Sequence, residues 1–154
     1  MAAWQPGYHV ARAYLTPKAS AAWDPDDGVR VYAEGTPVTV TEQGARLTAP
    51  LVGELDVNGS YTQGTGRLDH DFGLVKDDAG QWRIATPPPG LMVSQYLFDN
   101  SFVRVPVYFF APGRRWLVPD ARYFPRGQHA IERAARAVAA GPTPWLAPAA
   151  VGAP

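Results

Sequence analysis

The chain has 154 residues, with fourteen basic and fourteen acidic side chains, no cysteine, sixteen prolines and fifteen glycines. The balanced charge argues against a nucleic-acid partner, which usually shows as a basic stripe, and the lack of cysteine excludes disulfides and thiolate chemistry within the chain. The sequence has no run of about eighteen apolar residues, so no transmembrane span is predicted, while its 46% apolar content suffices for a packed core.

The first predicted elements are two short helices. Apolar and aromatic residues recur at helical spacing in "YHVARAYL", which ends at Leu15. Thr16 is suited to cap a second helix, "PKASAAW", because its hydroxyl can accept a hydrogen bond from the first turn and proline is favoured at the first helical position. The acidic stretch from Asp24 to Gly28 has the composition of a turn and lacks the spacing of a calcium-binding loop.

Alternation with period two then predicts a meander of antiparallel strands. Five segments show it, namely "VRVYAE", "PVTVTEQG", "ARLTAPLVGELDVNG", "SYTQGTGRLDHDFGLVKD" and "QWRIAT". Turns are predicted at Gln43-Gly44, Asn58-Gly59 and Asp78-Ala79-Gly80, and Asn-Gly is a strong hairpin signal. Gly64-Thr65-Gly66 interrupts a strand pattern and indicates a bulge or bend. Helices followed by such strands predict an α+β unit.

A second α+β unit is predicted after the prolines at 87–89. The segment "GLMVSQYLF" has near-helical spacing and predicts a short helix. Two alternating stretches flank Pro112-Gly113 and predict a hairpin, and residues 128–140 form the strongest helical pattern in the chain. We expect that helix to end at Gly141-Pro142 and the unit to begin near residues 99–103. Its expected buried face consists of Ile131, Ala134, Ala135 and Val138.

Candidate catalytic and metal-binding groups are few. In Asp69-His70-Asp71 the strand pleat sends both carboxylates to one face and the imidazole to the other, which favours a solvated strand edge over a metal site. An enzyme hypothesis would pair Asp69 or Asp71 with His9 or His70 as acid and base, a pairing for which the sequence supplies no geometry. The sequence contains no nucleophile elbow or phosphate-binding loop. We therefore predict no catalytic residue, metal or cofactor.

Arginines and tryptophans are the remaining candidates for recognition. The basic residues are most concentrated in the second unit, at Arg114, Arg115, Arg122 and Arg126. They suit an anionic partner such as a lipid head group or a cell-wall polymer, and solvated strand and turn positions explain them equally well.

Three tryptophans, at positions 82, 116 and 145, lie beside turns, where an indole either seals a core edge or, if exposed, anchors an interface. For Trp82, alternation predicts an inward face shared with Ile84, with Arg83 pointing outward. This makes Trp82 a structural plug.

Several blocks of the sequence resemble the LpqB family of actinobacterial lipoproteins. "VARAYLTPKASAAWDPDDGVRVY", "GQWRIATPPPGLMVS" and "YLFDNSF" resemble the family's amino-terminal domain, which would span residues 1–100. "VRVPVYFFAPGRRWLVPDARYFPRGQHAIERAARAVAAGPTPWLAP" resembles the front half of its GerMN domain, which would span residues 101–154. The resemblance implies a cystatin-like or nuclear-transport-factor-like fold, with helices cradled by a curved antiparallel sheet, followed by a partial α+β GerMN unit.

The resemblance also sets expectations about what surrounds this chain. Family members carry a secretion signal and a lipobox cysteine before these domains and a β-propeller after them. Neither the abrupt start nor the closing "WLAPAAVGAP" matches those features, so we expect a fragment of a longer protein. A GerMN sheet cut short would leave an unpaired edge and exposed apolar surface.

The function implied by the resemblance is that of a non-catalytic, extracytoplasmic module. Its parent lipoprotein would be held at the cell membrane by a lipid anchor, would contact the extracellular domain of an MtrB-like sensor histidine kinase, and would influence the MtrA–MtrB system and envelope homeostasis. The alternative is a binding module for a small cell-wall or lipid ligand in the mouth of the cone-shaped first domain. Its lining would be aromatic, from Tyr14, Trp23, Tyr61 and Trp82.

Overall fold

The computed structural model describes residues 8–42, 44–127 and 129–150, and it confirms the predicted α+β class. The helices are α1 (His9–Ala13), α2 (Pro17–Ala22), α3 (Gln95–Ser101) and α4 (Ala130–Ala140), with a closing 3-10 turn at Ala147–Ala149. The strands are β1 (Val29–Tyr32), β2 (Val38–Thr41), β3 (Gly44–Leu55), β4 (Tyr61–Gln63), β5 (Arg67–Lys76), β6 (Trp82–Ile84), β7 (Leu91–Ser94), β8 (Phe102–Phe110) and β9 (Leu117–Pro125).

The predicted start of the second helix is confirmed. Thr16 Oγ1 accepts a hydrogen bond from the Ala19 backbone at 3.2 Å, and Pro17 is the first residue of α2. The segment between α1 and α2 is tied to the sheet, since Thr16 N donates to the Ile84 carbonyl at 3.0 Å and Ile84 N donates to the Tyr14 carbonyl at 2.8 Å. The two helices are therefore anchored on β6.

Strand β3 is the centre of the large sheet, because four other strands pair with its twelve residues. Strands β1 and β2 run along one edge of β3, and β4 and β5 run along the other. Between β4 and β5 the chain bends at residues 64–66, where Gly66 has a φ of +83°, as the glycine pattern predicts. The Asn58-Gly59 hairpin between β3 and β4 is likewise confirmed.

One predicted element is wrong in part. The stretch read as a helix from Gly90 begins with strand β7, which pairs in parallel with β1, and only Gln95–Ser101 is helical. Gly90 allows the chain to turn into this strand, because it has a φ of +64° and a Cβ there would lie 2.3 Å from the Gly28 carbonyl oxygen. The curled sheet is consequently mixed, whereas the sequence predicted an antiparallel one.

The second unit consists of the antiparallel hairpin β8–β9 and helix α4, as predicted. One face of the hairpin packs on α4 through a core that includes Val107 and Phe109. The expected buried face of α4 is confirmed in part, because Ala134 and Val138 pack on this core. Ile131 is 82% exposed, and Ala137 is the residue that is completely buried. A small residue at the contact allows the helix to lie close to the sheet. The predicted helix start Gln128 and the turn residue Gln43 lie outside the described residues.

Candidate functional site

The two units meet where strand β9 crosses the Asn58-Gly59 turn. Tyr123 N donates to the Gly59 carbonyl at 2.8 Å, and Arg122 Nη1 approaches the Asn58 carbonyl at 3.4 Å. Gly59 has a φ of +75°, and a Cβ at this position would lie 2.6 Å from the Tyr123 carbonyl oxygen. The same turn that closes the first hairpin therefore also holds the second unit, and only glycine fits both roles.

Aromatic packing extends this junction. Phe102, the first residue of β8, belongs to the same core as Val31 and Val93 of the large sheet. Tyr123 of β9 lies 5.5 Å from Phe98 of α3, measured between ring centroids. Because residues from both units share one hydrophobic cluster, the first part of the hairpin is built into the first unit.

A shallow, open cleft lies at the junction, lined by residues of both units. Arg133 of α4 reaches across it to Asp26 of the first unit, with a nitrogen–oxygen distance of 2.8 Å. Tyr8 also lines the cleft, and burial, followed by the nearby Asp26 carboxylate, raises the pKa of its phenol. An ion pair thus bridges the cleft.

The four aromatic residues predicted to line a ligand pocket do not border this cleft. Tyr14 and Trp82 are largely exposed. Trp23 donates its indole N–H to the carbonyl oxygens of Pro88 and Gly90, at 3.1 and 3.0 Å. These hydrogen bonds fix the backbone at the end of the proline run. Tyr61 stacks on Phe98 beside Tyr123 and thus contributes to the junction. Their observed contacts differ from one residue to the next, and the ligand pocket stays a prediction.

Trp82 is placed differently from the sequence-based interpretation. Its side chain is 58% exposed, and Lys76 Nζ lies 5.1 Å from the centre of its ring. Strand β6 has only three residues and lies at the edge of the large sheet, and the side that carries Trp82 is open to water. The tryptophan therefore covers the lysine side chain on the surface and is not a plug of the core.

The acid–base candidates on β5 have structural contacts. Arg46 and Thr48, both on β3, donate hydrogen bonds to the Asp69 carboxylate, with Arg46 Nε at 2.7 Å and Thr48 Oγ1 at 3.0 Å. These contacts, the Arg46 hydrogen bond first, lower the pKa of Asp69 to about 2. His70 Nε2 lies 3.1 Å from the Thr86 carbonyl oxygen. Asp69 and His70 therefore point to opposite faces of the strand.

Within residues 8–42, 44–127 and 129–150, no group of three or more His, Asp or Glu side chains is arranged to hold a metal ion.

The four predicted recognition arginines separate into two environments. Arg122 is almost completely buried, where Nη2 contacts Asp120 Oδ2 at 2.9 Å and donates to the Gly141 carbonyl at 2.9 Å. Thr143 completes the network by donating its backbone N–H to the same carboxylate at 2.8 Å. Arg122 is thus a structural residue, which sequence reasoning missed because the pairing depends on contacts between β9 and the segment after α4. Arg114, Arg115 and Arg126 are exposed.

The hairpin tip carries the most prominent exposed side chains of the second unit. The turn is held by Ala111 N donating to the Trp116 carbonyl and Arg114 N donating to the Ala111 carbonyl, both at 2.8 Å. Arg114, with a φ of +55°, follows Gly113 in this turn. Arg114, Arg115 and Trp116 all project into solvent.

The fold and this surface define a small α+β domain built around a curled mixed sheet, to which a hairpin-and-helix unit is joined. Residues 1–99 match the family model described as "Lipoprotein LpqB, N-terminal domain", and the chain belongs to this family. No solved structure gives a significant match to the chain. The assignment of residues 101–154 to a GerMN domain stays a prediction.

Full-length relatives show the same affiliation. The chain is 40% identical over 143 residues to "Lipoprotein LpqB" of Cutibacterium acnes, covering 92% of this chain and 24% of that protein. It is 30% identical to the protein of the same name from Thermobifida fusca, covering 97% of this chain and 26% of the relative. The corresponding protein of Streptomyces coelicolor is 30% identical over 93% of this chain and 27% of its own length. The chain thus spans about a quarter of these curated relatives.

Proposed function

We propose that this chain is a non-catalytic, extracytoplasmic module of a membrane-anchored lipoprotein that modulates a two-component sensor kinase of the MtrA–MtrB type and thereby envelope homeostasis. Family membership carries this proposal, because relatives named as lipoproteins match over nearly the whole chain. None of the helices in the described residues has the length and apolar character to cross a bilayer. In this proposal the lipid anchor belongs to the full-length parent.

The contacts of the acid–base candidates support a non-catalytic role. A general base needs a lone pair available to the substrate and a pKa near the working pH. Asp69 is held by Arg46 and Thr48 with a pKa near 2, and the ring of His70 packs edge-on against Phe72 at 4.6 Å between centroids. These groups stabilise the sheet.

A direct binding measurement tests the proposed partner. The purified 154-residue chain is titrated against the extracellular domain of an MtrB-like sensor kinase, with the extracellular domain of an unrelated sensor kinase as control. We expect saturable binding to the first domain only. The full-length lipoprotein is measured in parallel, and the absence of binding by both forms would overturn the proposal.

The non-catalytic role has its own test. Asp69→Asn and His70→Gln are introduced separately into the full-length lipoprotein, and kinase-dependent reporter expression is measured in cells. Both variants should retain the wild-type response at equal protein abundance. A loss of the response in a variant that is folded and abundant would indicate that the side chain takes part in chemistry.

A further inference from the structure

We propose that the tip and outer face of the β8–β9 hairpin form a docking surface for an anionic phospholipid bilayer. The inference does not rest on the kinase proposal. Two observations carry it: an exposed strip of aromatic and aliphatic side chains along one face of the hairpin, and uncompensated positive charge at the end of that strip. Together they match the apolar and charged layers of a bilayer interface.

The strip arises from the strand register. Paired residues in an antiparallel hairpin point to the same side, so Tyr108 with Pro119 and Phe110 with Leu117 lie on one face. This face is opposite to the one that packs on α4. Tyr108 is 54% exposed and Leu117 is 57% exposed. Apolar side chains that are contiguous and uncovered indicate an interaction surface.

The tip itself carries Trp116, whose side chain is 76% exposed. Tryptophan and tyrosine are favoured at the boundary between acyl chains and water because their rings are apolar while their N–H and O–H groups stay hydrated. The order of side chains from the tip inward is therefore cationic, then indole, then aliphatic and aromatic. That order fits a shallow insertion of the hairpin end into the head-group region.

The charge at the tip has no internal counterpart. Five arginines of the described residues pair with carboxylates, but neither Arg114 nor Arg115 is among them. Asp120 is the sole acidic residue of the sequence between positions 102 and 126, and it is buried against Arg122. Every exposed charged side chain of the hairpin is thus basic. Such a surface is complementary to anionic head groups and would repel an equally basic partner.

The turn geometry presents these groups in a defined orientation. The two backbone hydrogen bonds between Ala111 and the 114–116 segment close the tip, so that the adjacent guanidinium groups and the indole project from a short, ordered loop. Ordering before binding reduces the conformational entropy that is lost on docking. The rest of the same hairpin face, at Tyr123, is occupied by the first unit, which places the free surface at the far end of the hairpin.

Vesicle sedimentation with the 154-residue chain tests the proposal. Vesicles of phosphatidylglycerol mixed with phosphatidylcholine are compared with vesicles of phosphatidylcholine alone. We expect binding to the anionic vesicles, a decline of binding with rising salt, and a blue shift of tryptophan emission that is lost in Trp116→Phe. Equal binding to both vesicle types, or no binding to either, would overturn the proposal.

A pair of charge-matched variants identifies the surface. Arg114→Glu with Arg115→Glu should lower the vesicle partition coefficient by about tenfold or more, because each arginine near an anionic bilayer contributes appreciably to binding. The control, Lys18→Glu with Arg136→Glu, changes the net charge equally but at exposed positions on α2 and α4. Equal losses in the two variants would show general electrostatic attraction and contradict the assignment to the hairpin.

Two further outcomes would assign the face to another occupant. Self-association in sedimentation velocity that disappears in Trp116→Ala, without vesicle binding, would assign it to a second copy of the chain. Binding to the kinase domain that is lost in Trp116→Ala, again without vesicle binding, would assign it to a protein. Circular dichroism of each variant verifies that it is folded.

Discussion

Arg122 and Asp120 form an ion pair of 2.9 Å in the interior of the second unit, with 2% and 1% of their side-chain surfaces exposed. The pair connects β9 to the end of α4 and to Thr143, since Arg122 donates to the Gly141 carbonyl and Asp120 accepts from the Thr143 backbone. It also links the two units, because the same guanidinium approaches the Asn58 carbonyl. We therefore expect this pair to control the stability of the second unit.

Replacing Asp120 with alanine should lower the free energy of unfolding by about 3–5 kcal/mol, because a buried guanidinium would be left without its counter-charge. Denaturant unfolding followed by circular dichroism measures the loss. Arg30→Ala, which removes an exposed pair with Glu54, is the control and should cost at most about 1 kcal/mol. Similar costs for the two variants would contradict the structural role of the buried pair.

Gly59→Ala tests the joint between the units. The new Cβ would meet the Tyr123 carbonyl oxygen at 2.6 Å and the Phe124 ring at 2.7 Å, so the substitution should cost about 2–4 kcal/mol from backbone strain and the displaced contact. Gly80→Ala is a matched control, because its φ is also +75° but a Cβ there meets nothing within 4 Å. It should cost about 1 kcal/mol.

Calorimetry measures the loss of unfolding free energy in both glycine variants. Backbone strain is common to the two, so the difference between the losses gives the cost of the displaced contact at Gly59. If Gly80→Ala were as damaging as Gly59→Ala, the close approach of β9 to the first hairpin would not explain the effect.

The stability of the chain should depend on pH through the Asp69 carboxylate. Its pKa in the folded chain is lowered from 3.8 to about 2, chiefly by the hydrogen bond from Arg46. A lowered pKa means that folding favours the carboxylate, so this contribution to stability is complete above pH 3.8 and is lost as the pH falls through about 2.

Titration of the Asp69 carboxyl by NMR measures this shift. Arg46→Ala should bring its pKa back toward 3.8, and Thr48→Val should have the smaller effect, since the Thr48 hydrogen bond is the second contributor. Arg30→Ala serves as control and should leave this pKa unchanged. A normal pKa for Asp69 in the wild-type chain would contradict the observed contacts.

The two tryptophans Trp23 and Trp82 should respond differently to replacement by phenylalanine. Trp23→Phe removes the donor of two hydrogen bonds to the proline run and should cost about 1–2 kcal/mol. Trp82→Phe retains most of an exposed ring and should change stability by less than about 0.5 kcal/mol. Thermal unfolding of both variants provides the measurement. A larger loss for Trp82 would restore its interpretation as a core plug.

Much of the local structure could be predicted because it depends on neighbours in the sequence. Thr16-Pro17 specifies a helix start through the cap and the fixed proline φ, and the helix begins at that position. Alternation in "VRVYAE" predicts a strand with Val29 and Val31 inward, and both are buried. Asn58-Gly59 specifies a tight hairpin, since glycine accepts the positive φ found there.

Other features depend on contacts between distant segments and could not be read from spacing. Leu91–Ser94 is a strand because the free edge of β1 lies beside it, a contact about sixty residues apart in sequence. Ile131 and Ala137 are both compatible with a helical stripe, and only the position of the hairpin determines which one is buried.

The four arginines predicted to bind a partner show most clearly which features the sequence determines and which depend on the tertiary structure. The sequence alone determined the α+β class, the family, the concentration of basic residues in the second unit and the order of the elements other than β7. Only the tertiary structure decided that Arg122 is buried while Arg114, Arg115 and Arg126 meet solvent. Local patterns encode spacing and strand faces, whereas desolvation of a charge depends on which carboxylate and which backbone carbonyls the folded chain brings to it.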